Sequence, residues 1–294
     1  MGVIRECIAY AKHINPAVQT ELQTNGLFQN DEDAIWIGEN FDIVWISLDA
    51  PSSINDMYRP DANGNGRTDE IEKYLQIVSD YTKVGVRATI VDETINNQTE
   101  LVTHFHNMNV KYLAFNPVIN PIKRNDKEKS DVNKSSQLLF AKGFCDAYKV
   151  ANNLGIEFTN SMTFNFDEPA EYSCRSCLPM PQLNPDGSVS SCDMAMFSDT
   201  KESLKVFLYG LWNPNDKLII YDQAKIQNLQ RNKRTNIVAC MSCPISEYCA
   251  GGCIGRTVYQ TGKLGTIVPE VCEATRYMAK HIGVGKKILC NTHP

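Results

Sequence analysis

The feature that most constrains this chain of 294 residues is the distribution of its cysteines. Eight of the eleven lie between Cys174 and Cys272, in the segments CRSCLPMPQLNPDGSVSSC and CMSCPISEYCAGGC and at Cys272 itself. Thiolates two residues apart can bind one metal centre, and eight thiolates are enough for two sites of four ligands. In a reducing compartment such clustering favours metal ligation over disulfides. We predict that the other three are a buried thiol on the first helix, a buried thiol on a long helix and a tail residue, respectively Cys7, Cys145 and Cys290.

The composition indicates a globular protein with enough apolar residues for two domains. The apolar content is 43%, and acidic and basic residues are interspersed along a chain of net charge -5. The chain therefore has no basic stripe that would neutralise nucleic acid or anionic lipid. It also has no apolar run of about 18 residues and no signal-peptide core. We expect a cytoplasmic protein whose partners include neither nucleic acid nor a membrane.

Helical and strand patterns alternate in the first half of the chain. Strand patterns fall near 18–23 and at 42–49, 86–91 and 110–118, and helical patterns at 3–13, 71–81, 95–107 and 132–154. The compact run at 42–49 has the look of a strand buried on both faces. Such alternation predicts an α/β fold of parallel βα units. From about residue 156 the periodicity weakens, so we predict a first domain at 1–157 and a second at 158–294.

The segment DANGNGRTDEIE at 61–72 matches the calcium-binding loop of an EF-hand at every position that the template fixes. An EF-hand needs a helix that leads into this loop, but Pro60 stands directly before it and the preceding residues lack helical periodicity. Thr68 also occupies a position that is usually aliphatic. We therefore expect a glycine-rich connector, with Asp69 and Glu72 favouring the start of the next helix. Adventitious calcium binding is the alternative.

The cysteine spacing resembles the signature of the SPASM domain, the C-terminal extension of many radical SAM enzymes. The order is Cys-x9-Gly-x4-Cys, then Cys-x2-Cys-x5-Cys-x3-Cys, then a final Cys. The resemblance implies two auxiliary 4Fe-4S clusters. It assigns to cluster I the residues Cys174, Cys177, Cys192 and Cys253, and to cluster II the residues Cys240, Cys243, Cys249 and Cys272. Spacing alone leaves a pair of four-cysteine zinc sites as the alternative.

The front half resembles the partial barrel of the same superfamily, which has six parallel strands. LQTNG at 22–26 is similar to its third strand, WISLDAP at 45–51 to its fourth, and NDMYR at 55–59 to a loop that carries an arginine. The resemblance implies that Ser47 contacts S-adenosylmethionine at the barrel mouth and that Asp49 and Arg59 line or brace that mouth. The alternative is that Asp49 caps a strand end and Arg59 is a solvated loop charge.

One family motif does not occur in these 294 residues, namely the Cys-x3-Cys-x2-Cys triplet whose cluster cleaves S-adenosylmethionine. The resemblance therefore implies an incomplete barrel that lacks its first two strands and leaves the third as an open edge. A separate chain could supply the missing front, the chain could be a fragment or truncated reading frame, or the remnant could be repurposed; we favour a fragment. S-adenosylmethionine would bind only if the missing part is supplied.

The resemblance implies the C-terminal part of a radical SAM enzyme that modifies a peptide or protein, as sulfatase-maturing and peptide-maturase enzymes do. A reductant such as a flavodoxin or ferredoxin would be a partner. Asp193 directly follows Cys192, where an aspartate in sulfatase-maturing relatives is thought to take the substrate proton. A carboxylate in a shielded cleft could have the pKa for that work, and capping of a local turn is the alternative. The alternative functions are a stand-alone iron-sulfur electron-transfer or binding module and a structural protein with zinc sites.

Overall fold

The computed structural model describes residues 1–119, 134–178 and 180–285, and the side chains at 134–136 are outside the description. Cys290, the predicted tail thiol, lies outside the described residues. The chain divides into two compact units. The first contains the described residues up to 119 together with Lys142–Asn160, and the second contains 134–141 and the residues from Ser161 onward. Within the described residues no helix is long and apolar enough to cross a membrane.

The first unit is built on a parallel sheet of five strands, which confirms the predicted α/β class. The strand order follows the chain: β1 (Glu21–Thr24), β2 (Ile43–Ser47), β3 (Lys83–Ile90), β4 (Tyr112–Pro117) and β5 (Glu157–Thr159). The helices are α1 (Gly2–Ile14), α2 (Asp31–Asn40), α3 (Ser52–Tyr58), α4 (Thr68–Ser79), α5 (Gln98–Asn107) and α6 (Lys134–Asn153). Each parallel connection between neighbouring strands contains at least one helix, as a crossover requires.

Apolar side chains on one face of this sheet form its core. Val44 and Ile46 of β2 and Val86 of β3 are fully buried. The alternate residues of β2, Ile43 and Trp45 among them, are only partly buried. The prediction that 42–49 is buried on both faces was therefore wrong, because only one face of β2 is covered within the described residues. At the sheet edge, β1 pairs only with β2 among the described strands.

The second unit contains a small antiparallel sheet that the sequence patterns did not predict. Its strands are β6 (Gln182–Leu183), β7 (Ser188–Ser190), β8 (Leu208–Asn213) and β9 (Leu218–Tyr221), in that order. The helices are α7 (Gln223–Gln230), α8 (Ser246–Cys249), α9 (Ile254–Thr261) and α10 (Pro269–Ile282). Phe207, Tyr209, Val189 and Val258 form much of its core. β6 and β7, of two and three residues, are too short to show a period of two, so alternation could not reveal these two strands.

Candidate metal centres

The four cysteines assigned to cluster I lie close to one another in the second unit. Cys174 directly precedes a short 3-10 turn at Arg175–Cys177, Cys192 follows β7, and Cys253 directly precedes α9. The Cys177 thiol donates a hydrogen bond to the sulfur of Cys174, and Cys174 in turn interacts electrostatically with Cys192 and Cys253. Three segments far apart in sequence therefore bring four thiols together.

The first turn of α9 is packed tightly against this group, which we call the first thiol group. The backbone N-H groups of Gly255 and Arg256 donate toward Cys253, which is the N-cap residue of the helix. A Cβ atom added at Gly255 would lie 2.7 Å from Cys192 Sγ and 3.2 Å from Met194 Sδ. Glycine at this position is therefore what allows the helix to approach the sulfur of Cys192.

A buried amide contacts the same group from another side. Asn232 Nδ2 donates to Cys177 Sγ at 3.9 Å, and Asn232 Oδ1 accepts from the backbone N-H of Gly265 at 2.8 Å. Asn232 is 8% exposed. Its second hydrogen bond fixes which way the amide points, so that the NH2 group faces the sulfur. Donors aimed at cluster sulfurs are among the means by which proteins tune iron-sulfur sites.

The pKa values in the first thiol group are shifted by a hydrogen bond between two of its members and by burial. The hydrogen bond from Cys177 lowers the pKa of Cys174 to about 6 and raises the pKa of Cys177. Burial raises the pKa of Cys192 to about 11 and also raises that of Cys253. Because thiolates rather than thiols bind metals, a metal centre would have to displace these protons, and its affinity would depend on pH.

The four cysteines assigned to cluster II line one cavity in the second unit, of about 30 Å³. Cys240 ends a 3-10 turn, Cys243 follows three residues later, Cys249 ends α8, and Cys272 lies in the first turns of α10. We call these residues the second thiol group. The remaining lining residues are Ala239, Ile245, Ser246, Gly251, Ile267 and Arg276.

The backbone between Cys249 and Cys253 turns through three consecutive residues with positive φ. These are Ala250 at 50°, Gly251 at 93° and Gly252 at 73°. The N-H of Gly251 donates toward the sulfur of Cys249. Burial raises the pKa of Cys249 to about 12. The segment CAGGC is thus a turn that presents backbone donors to a buried thiol.

The geometry of the described residues differs from that of a single-ion site. In this part of the chain, no three His, Cys, Asp or Glu side chains are arranged to hold one metal ion. A structural zinc ion needs four ligands that converge on one point. A 4Fe-4S cluster places each thiolate on a different iron, so the four sulfurs surround the cluster without converging. The donor chemistry of both groups, four thiols with N-H groups aimed at the sulfurs, fits such clusters.

Asp193, the predicted base, lies on the surface of the second unit. Its carboxylate accepts a hydrogen bond from Gln182 Nε2 and lies 3.6 Å from Arg175 Nη2. The side chain is 73% exposed. The expectation of a shielded carboxylate was therefore wrong for the unit as described, because the side chain of Asp193 is largely open to solvent and contacts the polar side chains of Gln182 and Arg175.

The residues predicted for the barrel mouth meet at the C-terminal end of β2. Ser47 is the last residue of that strand and is partly buried. Arg59 binds Asp49 through two hydrogen bonds, and Asp49 also accepts the backbone N-H of Thr89 at 2.6 Å. Asn55 Oδ1 accepts the backbone N-H of Asp49 at 3.0 Å. Arg59 is therefore paired rather than a solvated loop charge.

In the connector at 61–72, the side chain of Asp61 forms hydrogen bonds within the loop itself. Asp61 Oδ1 accepts the backbone N-H groups of Asn63 at 2.8 Å and Asn65 at 2.9 Å. The helix α3 ends at Tyr58, so the prediction that the residues before the loop are not helical was wrong, although residues 59 and 60 separate this helix from the loop. The start of α4 is capped by Asp56 of α3, whose Oδ1 accepts the N-H groups of Arg67 and Thr68.

Sequence reasoning missed several polar residues that complete these sites. Asn55, Asn232 and Arg256 are buried, and each contacts a residue that the sequence did single out. Arg256 stands where a Cys-x3-Cys-x2-Cys triplet beginning at Cys249 would need its third cysteine, and this position gave no indication of its burial beside Cys253. Buried amides and arginines carry no spacing signal of their own. Their proximity to a motif residue was the one available clue.

Comparison with curated proteins finds distant relatives of one kind, although no family model matches the sequence. The chain is 25% identical over 267 residues to the cysteine-type anaerobic sulfatase-maturating enzyme of Clostridium novyi (strain NT), covering 85% of this chain and 68% of the relative. It is 20% identical over 256 residues to the enzyme of the same name from Clostridium perfringens (strain 13 / Type A), covering 81% and 65%. The chain thus spans about two thirds of the length of these relatives.

Solved structures with the same fold include radical SAM enzymes. The structure of native anSMEcpe with bound AdoMet and Cp18Cys peptide matches with a TM-score of 0.70 at 17% identity, covering 95% of this chain and 78% of that chain. Streptococcus suis SuiB bound to S-adenosylmethionine matches with a TM-score of 0.55 at 15% identity, covering 90% and 61%. At these identities the likeness concerns the fold. It confirms the predicted fold class, a radical-SAM-type α/β unit with a cysteine-rich C-terminal part.

Proposed function

Because the homologues of this chain are anaerobic sulfatase-maturating enzymes, which are radical SAM proteins with a SPASM domain, we propose that it holds two auxiliary 4Fe-4S clusters as part of an enzyme that modifies a peptide or protein. Cys174, Cys177, Cys192 and Cys253 bind the first cluster. Cys240, Cys243, Cys249 and Cys272 bind the second.

The observation that carries this proposal is the grouping of eight cysteines into two sets of four. The second set lines a single cavity. In the first set Cys177 donates a hydrogen bond to Cys174, which interacts electrostatically with Cys192 and Cys253. Structural cysteines would be expected to lie singly in the core, as the buried Cys145 does. Four thiols gathered around each of two places, one for each iron, are the arrangement that a cluster with four thiolate ligands requires.

When bound, the clusters would supply a place to accept an electron during oxidation of the substrate. The chain itself orients and shields them. Asn232 donates to the sulfur of Cys177, and the N-H groups of Gly251 and Gly255 donate to those of Cys249 and Cys253. Cys177 and Cys240 are buried, at 0% and 7% exposed, and the other six cysteines of the two groups are partly buried.

Asp193 is placed in this proposal as the group that takes a proton from the substrate. It directly follows Cys192, and its carboxylate is accessible on the surface of its unit. Gln182 Nε2 donates to Asp193 Oδ1, and Arg175 Nη2 lies 3.6 Å from the same oxygen. A carboxylate positioned by such contacts can act as a general base if a bound substrate excludes water from it.

Ser47 is placed as a contact for S-adenosylmethionine at the end of β2, and Asp49 and Arg59 as the brace of the same strand end. Two solved structures with this fold contain bound AdoMet. In this chain Asp49 uses both carboxylate oxygens on Arg59 and Thr89. These contacts support a bracing role for Asp49, and the position of Ser47 at the end of β2 supports a binding role for its side chain.

The proposal is tested by anaerobic purification and reconstitution with iron and sulfide. We expect about eight irons and eight sulfides per chain and absorbance near 400 nm, which is characteristic of 4Fe-4S clusters. Cys243→Ser and Cys192→Ser should each lower the iron content by up to about half, because each removes one ligand from one cluster. Cys7→Ser is the matched control, since Cys7 is exposed on α1 and belongs to neither group.

Three other results would contradict parts of the proposal. Stoichiometric zinc without sulfide would show that the cysteines form structural zinc sites and not iron-sulfur clusters. If Cys243→Ser and Cys192→Ser left the iron content unchanged, the assignment of these cysteines as cluster ligands would be wrong. Full iron loading without any cleavage of S-adenosylmethionine, even after addition of a segment that carries Cys-x3-Cys-x2-Cys, would favour a stand-alone electron-transfer or binding module.

A further inference from the structure

Arg256 is a buried arginine in the first turn of α9. It is 3% exposed, and its Nε atom has no hydrogen-bond partner in the described part of the chain. None of the ion pairs formed between described residues joins Arg256 to an Asp or Glu side chain. Arg256 is therefore a buried cation whose charge is not balanced by a carboxylate within the described structure.

Such a residue is energetically unfavourable unless an anion lies nearby. Moving a charged side chain out of water costs several kcal/mol, and arginine does not avoid this cost by losing its proton. Burial does lower the pKa of Arg256, and the group that opposes this shift is Cys253. The backbone N-H of Arg256 also donates toward Cys253. The first thiol group is therefore the place where an anion could balance the charge of Arg256.

Arg256 lies beside Cys253, one of the four cysteines that would hold a metal cluster, and a neutral thiol cannot balance a guanidinium. A 4Fe-4S cluster with four thiolate ligands carries a net negative charge, which increases by one on reduction. The orphaned Nε atom and the missing carboxylate are both accounted for if the neighbour of Arg256 is such a cluster.

We propose that Arg256 is the buried counter-charge of the cluster held by Cys174, Cys177, Cys192 and Cys253, and that its charge raises the reduction potential of this cluster. The inference rests on the proposed function, because it requires a cluster at the first thiol group. Arg256 is a positioning residue that acts on the cluster through its charge.

The direction of the effect follows from electrostatics. A nearby positive charge stabilises the reduced cluster more than the oxidised one, because the reduced form carries one more negative charge. Burial enhances this difference, since low solvent exposure weakens screening. Removal of the charge should therefore lower the potential of the first cluster and leave that of the second unchanged.

The chain offers a matched control at the second thiol group. Arg276 lines the cavity of that group and interacts electrostatically with Cys272, but its side chain is exposed to solvent. Arg256 and Arg276 thus carry the same charge beside equivalent sets of four thiols, and they differ in burial. If burial of the charge is what matters, the loss of Arg276 should lower the potential of the second cluster by less than the loss of Arg256 lowers that of the first.

The experiment is an anaerobic redox titration of the reconstituted full chain, followed by electron paramagnetic resonance of the reduced clusters. The variants are Arg256→Met, Arg256→Lys and Arg276→Met. For Arg256→Met we expect one midpoint potential to fall by at least 59 mV, which is about a tenfold shift of a one-electron equilibrium. Arg256→Lys should retain most of the wild-type potential, and Arg276→Met should lower the potential of the second cluster by less than Arg256→Met lowers that of the first.

Iron content and circular dichroism of each variant separate the possible failures. If the wild type binds no iron, the proposed function fails. If Arg256→Met keeps full iron content and both potentials remain unchanged, the inference alone is overturned. An equal fall for Arg256→Lys would overturn it too, because the charge is retained in that variant. If Arg256→Met does not fold, Arg256→Lys still tests the inference. A potential equal to that of the wild type would support a role for the positive charge, and a lowered potential would refute it.

Discussion

Arg59 and Asp49 form an ion pair with two contacts, in which Nε lies 2.6 Å from Oδ2 and Nη2 lies 3.1 Å from Oδ1. The same guanidinium donates to Thr89 Oγ1 at 3.2 Å, and the backbone N-H of Thr89 donates to Asp49. The pair therefore ties the residue after α3 to the end of β2 and to β3. Asp49 is 4% exposed.

The first prediction concerns this ion pair. Asp49→Asn should lower the free energy of unfolding by about 2–4 kcal/mol, because it leaves a charged arginine without its partner in a largely buried setting. Urea denaturation of the full chain measures this change. Asp146→Asn is the control, since Asp146 and its partner Lys149 are 68% and 64% exposed. The control should change stability by less than about 1 kcal/mol, and an equal effect of the two substitutions would contradict the prediction.

The second prediction concerns the contact between α9 and Cys192. Gly255→Ala should reduce iron loading at the first thiol group, because the added Cβ would lie 2.7 Å from Cys192 Sγ and one of the two must move. Iron and sulfide analysis should then show a loss of up to about four irons per chain. Gln260→Ala in the same helix is the control, since Gln260 is exposed, and it should load fully. Full loading of Gly255→Ala would show that the sulfur is not held where the contact places it.

The third prediction concerns Cys145 on α6. Burial raises the pKa of this thiol to about 12, so at pH 8 it remains a thiol and should resist alkylation in the folded chain. Cys7 should react readily, because it is exposed. The sequence had predicted that both were buried, and for Cys7 this was wrong, because α1 has no buried residues. Iodoacetamide labelling with peptide mapping by mass spectrometry tests both outcomes.

The raised pKa of Cys145 also predicts a pH dependence. A group whose pKa is higher in the folded state contributes stability that is fully present below its unfolded pKa, about 8.5, and is lost as pH rises through the folded value. The difference in unfolding free energy between the wild type and Cys145→Ala should therefore decrease between about pH 8.5 and pH 12. A difference that stays constant over this interval would mean that Cys145 ionises without a cost from burial.

Cysteine spacing and βα alternation predicted the fold class and the residues that come together, for physical reasons that differ. Thiolates at short spacings can share a metal centre, so the spacing predicted metal sites in the cysteine-rich part. The division into two sets, which separates Cys253 from Cys249 although only three residues lie between them, came from the resemblance to the SPASM signature. Alternating helix and strand patterns leave few topologies besides parallel crossovers. Both signals are local in the sequence, although their consequences are long-range.

What the sequence did not reveal depends on contacts between distant residues. Asn232 lies 55 positions from Cys177, the sulfur to which it donates, and no pattern links them. The exposure of Asp193 depends on which segments cover it, which adjacency to Cys192 could not indicate. The strand at 42–49 was predicted to be buried on both faces because its residues are apolar, yet Trp45 and Ile43 face a side with little cover. Burial is a property of neighbours, so composition alone could not determine it.

The last prediction concerns the glycine-rich connector and what caps α4. Asp56 Oδ1 accepts the Thr68 hydroxyl at 2.6 Å and the N-H groups of Arg67 and Thr68 at 3.0 and 3.1 Å. A Cβ atom on Gly66 would lie 2.1 Å from Asp56 Cγ. Gly66, which matches the fixed glycine of an EF-hand loop, therefore makes room for a carboxylate of α3 that caps the next helix.

We accordingly expect Asp56→Asn to lower the free energy of unfolding by about 1–2 kcal/mol, as the loss of a charged helix cap does. Asp69→Asn is the control and should have an effect below about 0.5 kcal/mol, because Asp69 is exposed and acts only on the helix dipole. The Thr68 hydroxyl lowers the pKa of Asp56, so its contribution is present above the unfolded pKa of about 3.9 and is lost as pH falls through the folded value. Millimolar calcium should leave the melting temperature unchanged, because Asp61 already accepts the N-H groups of Asn63 and Asn65. If calcium raised the melting temperature of the wild type but not that of Asp61→Asn, the loop would instead be a cation-binding site.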